Sequence, residues 1–181
     1  MTEPASLLHA LGWHDVTGPQ LHDAVVAFQT GYALGPALRI DGIVGPLTQA
    51  ALEHSQAAGG RASEHFKWSE FGCHCGQILQ GCRGILIRRS VVLNAEVLRE
   101  SHYPAGLRVV SGYRCPRHNA AVGGASRSQH LDGLAIDVEP RVRPDDLRGS
   151  GWTGIGFSPS SHLVVHVDRR PGLPVTFPDG R

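Results

Sequence analysis

Residues 128–138 read SQHLDGLAIDV, and residues 161–168 read SHLVVHVD. Both stretches set histidine and aspartate among small and apolar residues, a grouping able to ligate a metal. Strand alternation puts Gly133, Ala135 and Asp137 on one face and Leu134, Ile136 and Val138 on the other. The second set reads as core. The first reads as a face kept clear beneath an acid, giving room for an ion and its substrate. His130 lies in the lead-in, where a turn can swing its ring back over that face. The later stretch offers His162, Val164, His166 and Asp168 on one face, with Leu163, Val165 and Val167 packed behind. His166 sits mid-strand among apolar residues, where an unpaired imidazole is costly to bury. His130, Asp137 and His166 together form a two-histidine, one-carboxylate zinc set that leaves a fourth position for water. Such an ion lowers that water's pKa toward ~7 and polarises a carbonyl. The plainer reading makes His166 a hydrogen-bonded core residue and Asp137 the cap of a turn.

The four cysteines, Cys73, Cys75, Cys82 and Cys115, offer a second kind of chemistry. An even count suggests disulfides, with three possible full pairings. The rival is a structural zinc site, because C-x-C followed by Cys82 can supply thiolates. The C-x2-C knuckle spacing is absent, so disulfides are the expectation, and with them an oxidising destination outside the cytoplasm.

The elements that must position these residues fall into two textures. Leu21, Ala24, Val25 and Phe28 recur at helical spacing on a segment opened by Gly18-Pro19 and closed near Gly31. Leu47, Ala50 and Ala51 follow DGIVGP, where Pro46 suits a first helical turn. A shorter helix is expected over Ala5 to Leu11. Residues 55–64, SQAAGGRASE, have the composition of a linker. Beyond it, 85–100 reads as a helix with Ile87, Val91, Ala95 and Leu98 on one side, and LRVVSGY, LAIDV and HLVVHVD as short strands. Strands after a helix, without regular βαβ alternation, imply an α+β domain with an antiparallel sheet. The organisation expected is therefore a small all-α domain of three helices over 1–56, a linker over 57–64, and an α+β domain over 65–181.

Composition narrows the function classes. The chain has 181 residues, 41% of them apolar, and a formal charge of +1, which gives no support to a nucleic-acid footprint. No apolar run approaches the roughly 20 residues of a membrane-spanning helix. The first residues, MTEPASLLHALGWHD, lack the basic and apolar regions of a secretory signal.

Two resemblances add to this reading. AVVAFQTGYAL and RIDGIVGPLTQAAL resemble the peptidoglycan-binding module that accompanies many cell-wall hydrolases. That family's FQ helix end and D-G-x-x-G-P-x-T turn are met by Asp41, Gly42, Gly45, Pro46 and Thr48, over roughly residues 5–55. S-x-H-x-x-G-x-A-x-D, met by Ser128, His130, Gly133, Ala135 and Asp137, resembles the zinc D-alanyl-D-alanine carboxypeptidase family. This family includes phage L-alanyl-D-glutamate endopeptidases and bacterial murein endopeptidases. HFKWSEFGCHC, SGYRCPRHNAAVGGASRSQH and GIGFSPSSHLVVHVD are similar to its opening, central and closing segments, so the likeness spans about residues 65–170.

The second resemblance implies one zinc ion held by His130, Asp137 and His166 on a helix-flanked antiparallel sheet. It places Arg114 near the substrate, where its fork suits a peptide carboxylate or a developing oxyanion. Ser128 is expected to hold the motif's loop or touch substrate. The family's general base is not matched. Some relatives carry Glu three residues before the last histidine ligand, where this chain has Leu163; others carry histidine two before it, where it has Val164. His162 would lie about 13 Å from His166 along an extended strand at ~3.3 Å per residue, and so could take part only through a bend. Asp168 could orient a ligand histidine or accept a proton. A relative of the same two-domain layout implies that Cys115 pairs with Cys73 or Cys75, and Cys82 with the other.

The expected function is a zinc-dependent hydrolase of peptidoglycan, of the endolysin kind, cutting an amide of the stem peptide or cross-bridge. The alternatives are a wall-binding protein with impaired catalysis, and a D-Ala-D-Ala carboxypeptidase or dipeptidase. The expected partner is peptidoglycan, with no nucleic acid and no membrane insertion, and the expected state is a monomer. The destination is the cell wall, reached by release through a phage holin or after removal of a leader.

Overall fold

The computed structural model describes residues 2–14, 16–75 and 82–179. Three helices open the chain: α1 (Pro4–Leu11), α2 (Gly18–Gly31) and α3 (Pro46–Ala57), each with proline in its first turn. Proline is suited there because the missing N–H has no partner inside the helix. The apolar stripe of α2 is buried through Ala24, Val25 and Phe28, as its spacing predicts. The loop before α3 is tied to α2 by Gln29. Its amide oxygen accepts from the Asp41 and Gly42 N–H groups at 3.0 and 2.9 Å. Its amide nitrogen donates to Asp41 Oδ1, the Ile43 carbonyl and Thr48 Oγ1 at 3.0 to 3.2 Å. The FQ and D-G-x-x-G-P-x-T residues thus build one turn, with Gly42 at φ +71° in the left-handed region.

The second part is α+β. Helix α4 (Arg89–His102) and the short α5 (Pro116–Ala121) accompany a five-stranded sheet of β1 (Arg108–Ser111), β2 (Ala135–Val142), β3 (Gly154–Phe157), β4 (Val164–Asp168) and β5 (Val175–Pro178). The spatial order is β1-β2-β4-β3-β5, antiparallel throughout except that edge strand β5 runs parallel to β3. Helix α4 starts later than its apolar pattern suggests. Residues 85–88 are extended because Ile85 bridges Gly72 and the Arg88 N–H donates to the Gly133 carbonyl at 2.9 Å. Val91, Val92, Ala95 and Leu98 then form the buried side of α4.

One continuous apolar core joins the helices to the sheet. At its junction the Trp68 ring lies 5.2 Å from both Trp13 and Phe28. Aromatic pairs of this kind add about 0.5–1.5 kcal/mol beyond the area they bury. The segment read as a linker is packed at its end. Ala62 and Ser63 are buried, the Ala33 N–H donates to the Ala62 carbonyl, and the Trp68 N–H donates to the Gly60 carbonyl. Among the described residues no helix is long and apolar enough to cross a membrane.

Candidate metal centre

Antiparallel pairing of β2 with β4 sets Asp137 directly opposite His166. Opposed residues on one face carry their Cβ atoms about 5 Å apart, close enough for both side chains to reach one point. His130 arrives from a single 3-10 turn, Gln129–Asp132, closed by Gly133 at φ +65°. The three donor atoms converge. His130 Nε2 lies 3.2 Å from Asp137 Oδ1 and 3.1 Å from His166 Nδ1, and His166 Nδ1 lies 3.0 Å from Asp137 Oδ1. All three side chains are at least nine-tenths buried.

The outer nitrogen of each imidazole is held by an acceptor. His130 Nδ1–H donates to the Gly112 carbonyl at 2.6 Å, and His166 Nε2–H donates to Asp168 Oδ2 at 3.0 Å. With both outer nitrogens protonated, each inner nitrogen presents a lone pair to a carboxylate oxygen. Three acceptors facing one another in a buried space repel unless a cation lies among them. Zinc ligands at ~2.0–2.2 Å in tetrahedral array stand about 3.4 Å apart, so the observed spacing fits such an ion after a small outward shift.

The surrounding charges fit as well. Burial opposes ionisation of Asp137, but the close imidazoles of His130 and His166 outweigh it and hold the carboxyl well below the usual range. Burial lowers the pKa of His130. At His166 burial acts the same way, yet Asp137 and Asp168 overcome it and raise the pKa. Asp137 brings the negative charge to the three converging donor atoms, and Arg114 and Arg170 hold Asp137 and Asp168 from outside.

Arg114 and Asp168 take defined places around this set. The Arg114 guanidinium is buried; its Nη2 donates to Asp137 Oδ2 and its Nε to Ser111 Oγ at 3.0 Å. It grips the ligand carboxylate from behind and also lines the cavity. Asp168 is fully buried, fixes His166, and is itself clasped by the Arg170 fork. It therefore orients an imidazole and has no open path to a substrate proton. His162 lies outside the site: it is exposed in the turn before β4, at φ 55°, with its ring stacked on Phe157.

Gly133 and Ala135 do not clear a substrate face as their spacing suggests. Gly133 precedes the strand, and a Cβ there would meet the Leu86 carbonyl oxygen at 2.6 Å. Its smallness serves the close backbone approach and the left-handed turn that delivers His130. Ala135 is wholly buried and opposes Asp168 across the β2–β4 pair.

The disulfide expectation is also corrected. Cys73, Cys75, Cys82 and Cys115 come together as free thiols with no bonded pair. Their separations of 3.4, 3.5 and 3.9 Å, measured from Cys75 to Cys73, Cys82 and Cys115, far exceed the ~2.05 Å of a disulfide.

A cavity of about 840 Å³ opens over the centre. Ser128, His130 and His166 line it together with residues that the sequence pattern does not single out: His74, His118, Arg127, Arg170, Phe177 and Asp179. Phe177 lies 5.5 Å from the His166 ring, and the Asp179 N–H donates to the Phe157 carbonyl at 2.8 Å. Both come from β5 and its exit, an edge strand too short and too exposed to carry a periodic signal.

An α+β sheet that gathers two histidines and a carboxylate beneath an open cavity is the design of a metallopeptidase. The sequence bears this out at the family level: residues 64–168 match the peptidase M15 family, and the chain belongs to that family. Its members use zinc. No curated protein matches the chain.

Proposed function

We propose that the protein is a zinc-dependent peptidoglycan peptidase that cleaves an amide of the stem peptide or cross-bridge. The carrying observation is the convergence of His130 Nε2, Asp137 Oδ1 and His166 Nδ1, with each outer imidazole nitrogen held by its own acceptor. Zinc, when bound, supplies a polarised carbonyl and a water acidified toward a pKa of ~7. The chain's own groups do the rest. Gly112 and Asp168 fix the two imidazole tautomers, and Arg114 fixes the Asp137 carboxylate. Arg127 and Arg170 bring positive charge to the cavity lining, suited to the free carboxylates of a stem peptide. Asp179 is the lining carboxylate outside the ligand set, placed to accept a proton from a cavity water. It fills the chemical need left where Leu163 and Val164 replace the acids and bases of related sequences.

The three opening helices serve, on this proposal, as a wall-binding module. Its resemblance to peptidoglycan-binding modules supports that reading, and anchoring would raise the local concentration of stem peptides. The working place is then the cell wall, with a phage lysin or an exported bacterial enzyme as the source. The test is turbidity loss of purified walls with and without a chelator, followed by mass spectrometry of the released fragments. Chelator-sensitive release of new amino termini supports a peptidase and identifies the bond. Binding to walls without release, at full zinc occupancy, would identify a wall-binding protein instead.

A further inference from the structure

We propose that Cys73, Cys75, Cys82 and Cys115 form a second, structural zinc site. All four sulfurs lie within 4.8 Å of one another, drawn from three separate stretches of chain. Cys73 and Cys75 follow the 3-10 turn Trp68–Phe71, Cys82 returns beside them, and Cys115 is the N-cap of α5. The Cys73 N–H donates to the Gly84 carbonyl at 2.8 Å, which pairs the outgoing and returning chain.

A tetrahedral ion with Zn–S bonds of ~2.3 Å places its sulfurs about 3.8 Å apart. The measured spacings of 3.4, 3.5 and 3.9 Å bracket that value. Cys75 is nearly as close to each of the other three, so the packing selects no disulfide partner. Instead the arrangement is that of four equivalent ligands.

The surrounding backbone points the same way. The Cys115 N–H faces Cys73 Sγ, the Gly84 N–H faces Cys82 Sγ, and the His118 N–H faces Cys115 Sγ, each at 3.4 Å. Donors aimed at sulfur favour the thiolate over the thiol. Several thiolates this close repel unless a cation joins them. Four soft thiolates in tetrahedral array select zinc or iron, and a set closed by four protein ligands leaves no position for substrate.

The site's role is positional. Cys115 directly follows Arg114, whose guanidinium holds the Asp137 carboxylate. An ion at the thiolates would clamp residues 112–115 to the segment at 73–75, and so set the arginine that aims a ligand of the first centre.

The test separates this site from the histidine centre. The full-length His130→Ala protein, purified without added chelator, is expected to retain one zinc per chain. Replacing that ion by cobalt should give the near-ultraviolet thiolate-to-cobalt charge-transfer band and the intense visible bands of a tetrahedral site. Modifying its thiols should release the zinc stoichiometrically, four thiols per ion. Cys75→Ser, the central ligand, should lose this zinc and the cobalt bands; if that variant fails to fold, the spectrum of His130→Ala decides alone. Metal-free His130→Ala protein with no titratable thiol until reduction would show disulfides and overturn the proposal. Four freely reactive thiols with no metal released would overturn it equally, and bound iron would overturn the assignment to zinc.

Discussion

Gly154→Ala isolates the part played by Asp168. Gly154 faces Asp168 across the β3–β4 pair, and a Cβ on it would lie 2.2 Å from both carboxylate oxygens. Its backbone lies outside the left-handed region, so alanine meets no conformational penalty there. The whole effect comes from the clash. Ordinary contact begins near 3.4 Å, so the carboxylate must withdraw by about 1 Å or turn away. Asp168 is fully buried and held by His166 Nε2 and the Arg170 fork, so any withdrawal lengthens at least one of these bonds. Losing an outer partner of a ligand histidine costs about 10–100-fold in metal affinity or activity. Overpacking adds about 1–3 kcal/mol of instability. The assay pairs zinc affinity, by competition with a chromogenic chelator, with the urea midpoint and the rate of wall lysis. Asp168→Asn, which keeps the volume and removes the charge, should show a similar loss of zinc affinity with a smaller loss of stability. A Gly154→Ala protein that is destabilised but binds zinc and lyses walls as before would refute the orienting role of Asp168.

Three further outcomes are expected. His130→Ala should abolish lysis and remove the zinc of the histidine centre, checked by metal analysis after dialysis; unchanged lysis would contradict the ligand assignment. Gln29→Ala should lower stability by about 1–3 kcal/mol in urea unfolding, because it breaks every bond the buried amide makes to the Asp41–Thr48 turn. The pKa of Asp146 is lowered first by the Tyr103 hydroxyl and further by Arg143, against a smaller cost of burial. Its folded pKa lies below its unfolded one, so its contribution is present above the ordinary carboxylate pKa and is lost as pH falls through the folded value. Asp146→Asn should therefore flatten the acid side of the stability–pH curve, and an unchanged slope between pH 5 and pH 2 would count against it.

Helices α1 to α4 and strands β1, β2 and β4 were legible from their apolar patterns, whereas the inner strand β3 was not read as one. The stripe Leu21, Ala24, Val25, Phe28 reports the buried side of α2, while β2 and β4 are buried on both faces around Asp137 and His166, one face by apolar side chains and the other by the site itself. β5 and α5 were not legible, since both are short and mostly exposed. The parallel pairing of β5 was hidden for the same reason, and with it went Phe177 and Asp179, which line the cavity. The segment at 57–64 misled by composition: its glycines mark turns in a packed chain, and Ala62 and Ser63 are buried. Gly133 misled by position, because spacing shows that a residue is small and not which neighbour requires it.

The two cysteine readings show where spacing loses its authority. Knuckle motifs place ligands by local geometry, so their absence argues only against a site built from neighbouring residues. Here the fourth sulfur comes from Cys115, brought in by the same turn that sets Arg114 on Asp137 and the Gly112 carbonyl on His130 Nδ1. Four consecutive residues, 112–115, thus touch both clusters: a carbonyl orients one imidazole, a guanidinium aims the carboxylate, and a thiol joins the other three. A chain that needs this tetrapeptide held to within about half an ångström gains from anchoring it at a rigid point next door. That requirement explains why the cysteines sit beside the cavity and not elsewhere in the core. It also sets the sign of the coupling: loosening the thiolate cluster should weaken zinc at the histidine centre, and by linkage emptying the histidine centre should weaken the cluster's hold by the same factor without emptying it.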